Sequence, residues 1–127
     1  MERAKLQAVN PVLPSRDVRA AVEFYVGRLG FSLQFQDSAT EPRYAVLGRD
    51  GVELHVQWHD PADWEAVERP MLRFVVSDVQ ALFEEYKDRG VFHARTAVRE
   101  TPWRTREFAF FDRDQNGLTF YRDLEPD

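Results

Sequence analysis

The sequence predicts an α+β fold of two tandem βαβββ modules, and three observations predict it. The apolar spacing alternates between a period of two and a period near 3.6 in the order β-α-β-β-β, and then does so again. The two helical stretches share identities at an offset of 61: Asp17 with Asp78, Val18 with Val79, Ala20 with Ala81, Tyr25 with Tyr86 and Arg28 with Arg89. Each half closes on a hairpin signal, Asp50-Gly51 and Asn116-Gly117, whose glycines lie 66 apart with loops absorbing the difference. The 127 residues are therefore read as one domain, with repeat 1 at about 6–60 and repeat 2 at about 70–123.

The elements follow in order. A first strand is expected over Leu6–Leu13, then a loop over Pro14–Asp17. Val18, Ala21, Val22, Tyr25 and Leu29 recur at helical steps, with Gly27 and Gly30 as stop signals. Phe31, Leu33 and Phe35 alternate with polar residues as a half-buried strand. Tyr44–Gly48 and Val52–Trp58 flank the first hairpin turn. Met71–Val76 opens the second half, and Ser77 with Gln80 reads as a capping box. Val79, Leu82, Phe83 and Tyr86 form the next helical stripe, ended by Gly90. Strands are expected at Phe92–Val98, Arg106–Asp112 and Leu118–Arg122.

Composition removes several function classes. No cysteine is present, which excludes disulfides, thiolate zinc sites, iron–sulfur clusters and a cysteine nucleophile. Seventeen basic against 22 acidic residues leave a net charge of −5, the wrong sign for nucleic acid. No apolar run approaches the roughly 20 residues of a membrane span. Met1–Gln7 holds two basic residues with no apolar stretch behind them, so no signal peptide and a cytoplasmic location are expected. There is no Gly-x-Ser-x-Gly or phosphate-binding glycine loop. Ser15 and Ser77 read as helix starts, and Glu84-Glu85 and Asp112–Asp114 as solvated charge.

Pro14-Ser15-Arg16-Asp17, Ala20-Ala21, Phe24-Tyr25 and Arg28-Leu29-Gly30-Phe31 together resemble the opening signature of the vicinal oxygen chelate superfamily. That is the glyoxalase/bleomycin resistance protein/dioxygenase superfamily, and Leu13–Asp17 with Phe24-Tyr25 is most similar to its bleomycin resistance branch. Asp112–Gly117 resembles the family's closing Asp-Pro-Asp-Gly turn, with one residue inserted and no proline. The resemblance spans about Val9 to Asp123. It implies a cup-shaped mixed sheet with the site inside, and a homodimer that often completes the cup.

The enzymes of the family hold a divalent metal with His or Gln, Glu, His and Glu. The resemblance maps those positions onto Asn10, His55 (or Glu53, two residues away on the same face), Met71 and Tyr121. Asn is a weak ligand, Met a soft thioether, and Tyr ligates well only as phenolate, so one good ligand remains. No catalytic residue, metal or other cofactor is expected. His55 and His59 lie about 13 Å apart along a strand, too far to share a metal. His59 and His93 read as surface or hydrogen-bonded structural residues.

A cup without metal is a binding cavity. Strand parity puts Glu53, His55 and Gln57 on one face of their strand, opposite Val52, Leu54, Val56 and Trp58, the natural partners of a helix. Tyr121 shares a face with Thr119. Trp103, in the loop Thr101–Arg104, stands where the resembling proteins border their drug groove with Trp. Phe108 is a further wall candidate; it shares a face with Phe110, while Phe111 faces the other way, and one face must be core. Tyr44 and Asp37 flank the groove mouth, where Asp37 and the acidic balance would suit a cationic ligand tail. The expected function is non-catalytic capture of a planar, bleomycin-type antibiotic in a dimeric groove. A metal-dependent lyase, isomerase or dioxygenase of the same superfamily, and a dimer binding another metabolite, are the alternatives.

Overall fold

A computed structural model describes residues 2–125. The first half runs β1 (Val12–Ser15), α1 (Val18–Leu29), β2 (Ser32–Gln36), β3 (Tyr44–Arg49) and β4 (Val52–Trp58). A 3-10 turn over Pro61–Ala66 leads into β5 (Met71–Val75), α2 (Val79–Tyr86), β6 (Arg99–Glu100), β7 (Thr105–Phe111) and β8 (Gly117–Asp123). The strands form two mixed four-stranded sheets, ordered β1-β4-β3-β2 and β5-β8-β7-β6, with β1 parallel to β4 and β5 parallel to β8.

The helices start alike. Asp17 accepts from the Ala20 amide at 3.1 Å, and Asp78, 61 positions later, from the Ala81 amide at 2.9 Å. Asp78, not Ser77, is therefore the second cap. Gly30, at φ 80°, ends α1 while the Phe31 amide donates back to the Tyr25 carbonyl at 3.0 Å. Gly27 is inside that helix, and α2 stops at Tyr86, four residues before Gly90.

One face of each sheet packs under its helix. Leu13, Ala45, Leu47, Leu54 and Val56 meet Val18, Ala21, Tyr25 and Leu29. Phe108, Phe110, Leu118 and Phe120 meet Val79, Phe83 and Tyr86 in an aromatic cluster, and all belong to one continuous core. The opposite face of each sheet is left open, and it carries the candidate site.

The halves are joined by polar locks that run from the buried interior to the surface. The Tyr25 hydroxyl donates to Asp112 Oδ2 at 2.7 Å, and Asn116 Nδ2 reaches the Pro14 carbonyl at 3.1 Å. Arg49 donates to both oxygens of Glu85, at 2.8 and 2.9 Å, and to the Leu29 carbonyl at 2.7 Å. Arg28 and Arg89 each donate to the other's half, Arg89 to the Arg28 carbonyl and Arg28 to that of Arg89, as a pseudo-two-fold arrangement requires.

Several expectations are corrected. β1 begins at Val12, not Leu6, because among the described residues no strand lies beside residues 6–10. Phe92–Val98 is not a strand. His93 and Thr96 instead bond to the β7 edge with their side chains, His93 Nε2 accepting from the Phe111 amide at 2.9 Å and Thr96 donating to the Ala109 carbonyl at 3.0 Å. Asp112 and Asp114 are buried, at 6% and 3% exposure, not solvated, because backbone amides and Tyr25 satisfy Asp112. β2 is an edge strand with a bulge between Leu33 and Phe35, and Phe35 is 55% exposed.

Candidate functional site

Pairing register decides which side chains share the open face, because residues directly opposite across a ladder point the same way. In the first sheet Tyr44 lies opposite Gln57, and Val46 opposite His55, which also lies opposite Val12 on β1. Leu54 and Val56 are buried under α1, so Glu53, His55 and Gln57 face away from it. The Tyr44 hydroxyl and His55 Nδ1 are 2.6 Å apart, and His55 Nε2 is 2.8 Å from Glu53 Oε2. With the ring proton on Nε2, His55 donates to Glu53 and accepts from Tyr44, so all three are satisfied with His55 neutral. The tyrosine oxygen and the carboxylate then present acceptor lone pairs, which suit the N–H groups of a ligand.

Asp37 stands at the β2–β3 loop, where its Oδ1 accepts from the Arg43 amide at 2.8 Å and the Tyr44 amide at 3.2 Å. The Arg43 hydrogen bond, then that of Tyr44, hold its carboxyl below the usual carboxylate range. Asp37 thus shapes the loop that delivers Tyr44.

In the second sheet Phe111 lies opposite Gly117 and Met71, Ala109 opposite Thr119 and Arg73, and Glu107 opposite Tyr121 and Val75. These line the open face. A cavity of about 460 Å³ lies against it, with Trp103, Phe111, Met71 and Thr119 among its lining residues. Trp103 is 65% and Phe111 50% exposed. Tyr121 is half-buried beneath the Arg73 guanidinium, 4.1 Å from its ring centroid. Arg73 also reaches Glu107 Oε2 at 3.2 Å.

Phe108 backs this cavity from the core: it is among the lining residues, yet it is 1% exposed, its ring packed on Phe83, Phe92 and Phe120. Phe111 takes its place on the wall, and strand parity in β7 is the signal that finds it. Sequence reasoning also missed Arg73, Arg95, Arg99 and His93 at this cavity. Arg95 lies in the segment expected as the strand Phe92–Val98, and Arg99, the first residue of β6, lies just beyond it, outside every expected element.

The positions that resemble metal-ligand sites do not fit a divalent metal. Asn10 precedes β1 and is exposed, Met71 offers a thioether on an exposed strand, and both ring nitrogens of His55 are engaged. The repeat is also out of register. Val12 faces His55, but Arg73, 61 residues after Val12, faces Thr119, so the counterpart of His55 is Thr119 and not Tyr121. Among the described residues no group of three or more His, Asp or Glu side chains is placed to hold a metal ion.

The model of the Glyoxalase/Bleomycin resistance protein/Dioxygenase superfamily matches residues 7–120. The chain belongs to that superfamily. Within it, the chain is 25% identical, over 135 aligned residues, to bleomycin resistance proteins of Geobacillus stearothermophilus and Staphylococcus aureus, covering 94% of this chain and 98% of each. Among solved structures, a bleomycin resistance determinant encoded on the transposon Tn5 superposes with a TM-score of 0.77 at 23% identity, covering 93% of this chain and 98% of that one. A bleomycin-binding protein from bleomycin-producing Streptomyces verticillus, complexed with copper(II)-bleomycin, superposes with a TM-score of 0.73 at 27% identity, covering 98% and 100%. The two mixed sheets with helices on one face match this superfamily fold. Among the described residues no helix is long and apolar enough to cross a membrane.

Proposed function

We propose that this superfamily member is a non-catalytic binding protein that captures a planar, bleomycin-type antibiotic in the cytoplasm and leaves it chemically intact. The observation that carries this reading is the exposed aromatic wall: Trp103 and Phe111 beside a cavity of about 460 Å³ on a sheet face that no helix covers. Exposed aromatics in a concavity suit stacking of flat rings. The bleomycin resistance proteins and the bleomycin complex among its relatives support the choice of ligand.

The chain acts as a single domain whose halves, about 6–60 and 70–123, each supply one wall. Trp103 and Tyr121 form one wall, and Tyr44 and Glu53, oriented by His55 between them, supply hydrogen-bond acceptors on the other, with Asp37 holding the loop behind them. The working unit is a homodimer. Val12, Phe35, Met71, Val75 and Phe111 are exposed apolar residues on the open faces, an arrangement that a second copy would cover in part.

Trp fluorescence titrated with bleomycin tests the proposal. Saturable quenching is expected in the native protein, and its loss in Trp103→Phe with Trp58 and Trp64 retained. Quenching unchanged by Trp103→Phe contradicts the assignment of the wall.

A further inference from the structure

The charge of the cavity differs from that of the chain. The protein carries −5 overall, but three arginines (Arg73, Arg95 and Arg99) line the cavity on the second sheet, against one carboxylate, Glu107. Glu107 is already used: it accepts from Arg73 at 3.2 Å and from the Thr105 hydroxyl at 2.9 Å. Arg99 lies directly opposite Glu107 in the β6–β7 ladder, so it shares the open face. Among the described residues, neither Arg95 nor Arg99 forms an ion pair. Two free guanidiniums thus border the same cavity as the exposed ring of Trp103.

A guanidinium presents a planar fork of N–H donors that matches a carboxylate, sulfonate or phosphate in two-point contact. Beside a partly apolar wall such contacts are less screened than in open water. We propose that this wall is an anion-recognising subsite: Arg95 and Arg99 receive an acidic group on the same ligand whose planar portion stacks against Trp103. The ligand class is an aromatic acid, its ring on Trp103 and its anionic group on the two guanidiniums. The acidic balance of the chain, with Asp37, suits a cationic ligand tail, and the arginines give this second wall the opposite preference. This inference rests on the capture reading for the location of the site, and adds the chemistry of one end of the ligand.

Calorimetric titration with two matched probes tests it: naphthalene-2-sulfonate and 2-naphthylmethylammonium, which share a ring system and differ in charge. The sulfonate is expected to bind at least about tenfold more tightly than the ammonium. In Arg95→Gln/Arg99→Gln the sulfonate should lose about tenfold or more, while the ammonium holds or gains. Arg106→Gln, on the opposite face of β7 and paired with Glu100, serves as the charge control and should change neither. Equal binding of the two probes, tighter binding of the ammonium, no sulfonate binding, or no effect of the double variant would each overturn the subsite. Bleomycin titrated into the same samples separates the two ideas. Sulfonate selectivity without bleomycin binding sinks the antibiotic and keeps the subsite; bleomycin binding without selectivity does the reverse.

Discussion

Removing a single oxygen should loosen the joint between the modules: Tyr25→Phe. The Tyr25 hydroxyl and Asp112 Oδ2 are 2.7 Å apart, and the residues are 1% and 6% exposed. The ring keeps its edge-on contacts with Phe24 and Phe31, so the substitution removes the hydrogen bond and little else. A hydrogen bond to a buried carboxylate is worth about 1.5–3 kcal/mol. Asp112 retains the amides of Asp114 and Asn116 and the Asn116 side chain, so a middle value of about 2 kcal/mol is expected, roughly a thirtyfold shift in the folding equilibrium. The assay is urea unfolding at constant protein concentration, with the slope unchanged and the midpoint lowered. The effect should also depend on pH. Burial raises the Asp112 carboxyl above its ordinary range, and the Tyr25 hydroxyl opposes that rise. Without the hydroxyl the folded-state value moves further up. A group raised in the folded state loses its stabilising contribution as pH rises through the folded value, so the deficit of the variant should widen as pH rises past the native folded-state value, which lies above the ordinary carboxylate range, and level off above that of the variant. A loss below about 0.5 kcal/mol that is flat with pH would refute the reasoning. Tyr86→Phe is the companion case: its hydroxyl donates to the Leu29 carbonyl at 2.8 Å and accepts from the Arg49 guanidinium at 3.0 Å, so a loss of about 1.5–3 kcal/mol is expected there too.

Other consequences follow from the same geometry. Glu85 is held below the usual carboxylate range by the Arg49 guanidinium, so its contribution is present above that range and lost as pH falls through the folded-state value. Glu85→Gln should therefore lower stability at pH 7 and flatten the acid limb of the stability profile; an unchanged acid limb in urea titrations counts against the clamp. Phe108→Ala should cost about 3–5 kcal/mol as a core cavity. Trp103→Ala should stay within about 0.5 kcal/mol of the native stability yet weaken ligand binding about tenfold. The reverse ranking in paired unfolding and binding measurements would mean that the wall is wrongly assigned. His55→Ala removes the partner shared by Tyr44 and Glu53, and should weaken an N–H-bearing ligand while leaving the naphthalene sulfonate unaffected; equal losses for both, by calorimetry, would place His55 outside the site.

The helices were legible in the sequence because each buries one stripe, and Asp17 and Asp78 mark their starts with the same short carboxylate. The first hairpin announced itself through Asp50-Gly51, both at positive φ; in the second the left-handed turn residue is Gln115, and Gly117 already belongs to β8. The first strand was overextended because Leu6 and Val9 look like strand residues, yet a strand needs a neighbour and that stretch has none among the described residues. Phe92–Val98 failed for a different reason: its bonds to β7 run through the His93 and Thr96 side chains, which no ladder pattern encodes. Burial of the Asp112–Asn116 turn could not be read locally, since its donors include Tyr25, 87 positions away in sequence. Within the site, Trp103 and the Glu53–His55 face were visible from loop position and strand parity. Phe108 and Phe111 could not be ranked until the core claimed one face of β7. Arg95 and Arg99 were invisible because their cavity depends on the bend of the β6 approach.

Capture without chemistry is the central claim, and calorimetry with bleomycin followed by mass spectrometry of the recovered drug tests it most directly. The account predicts saturable binding, abolished or strongly weakened in Trp103→Ala, and recovery of the drug at its original mass after prolonged incubation. Absence of binding, or recovery of a modified drug, would contradict it.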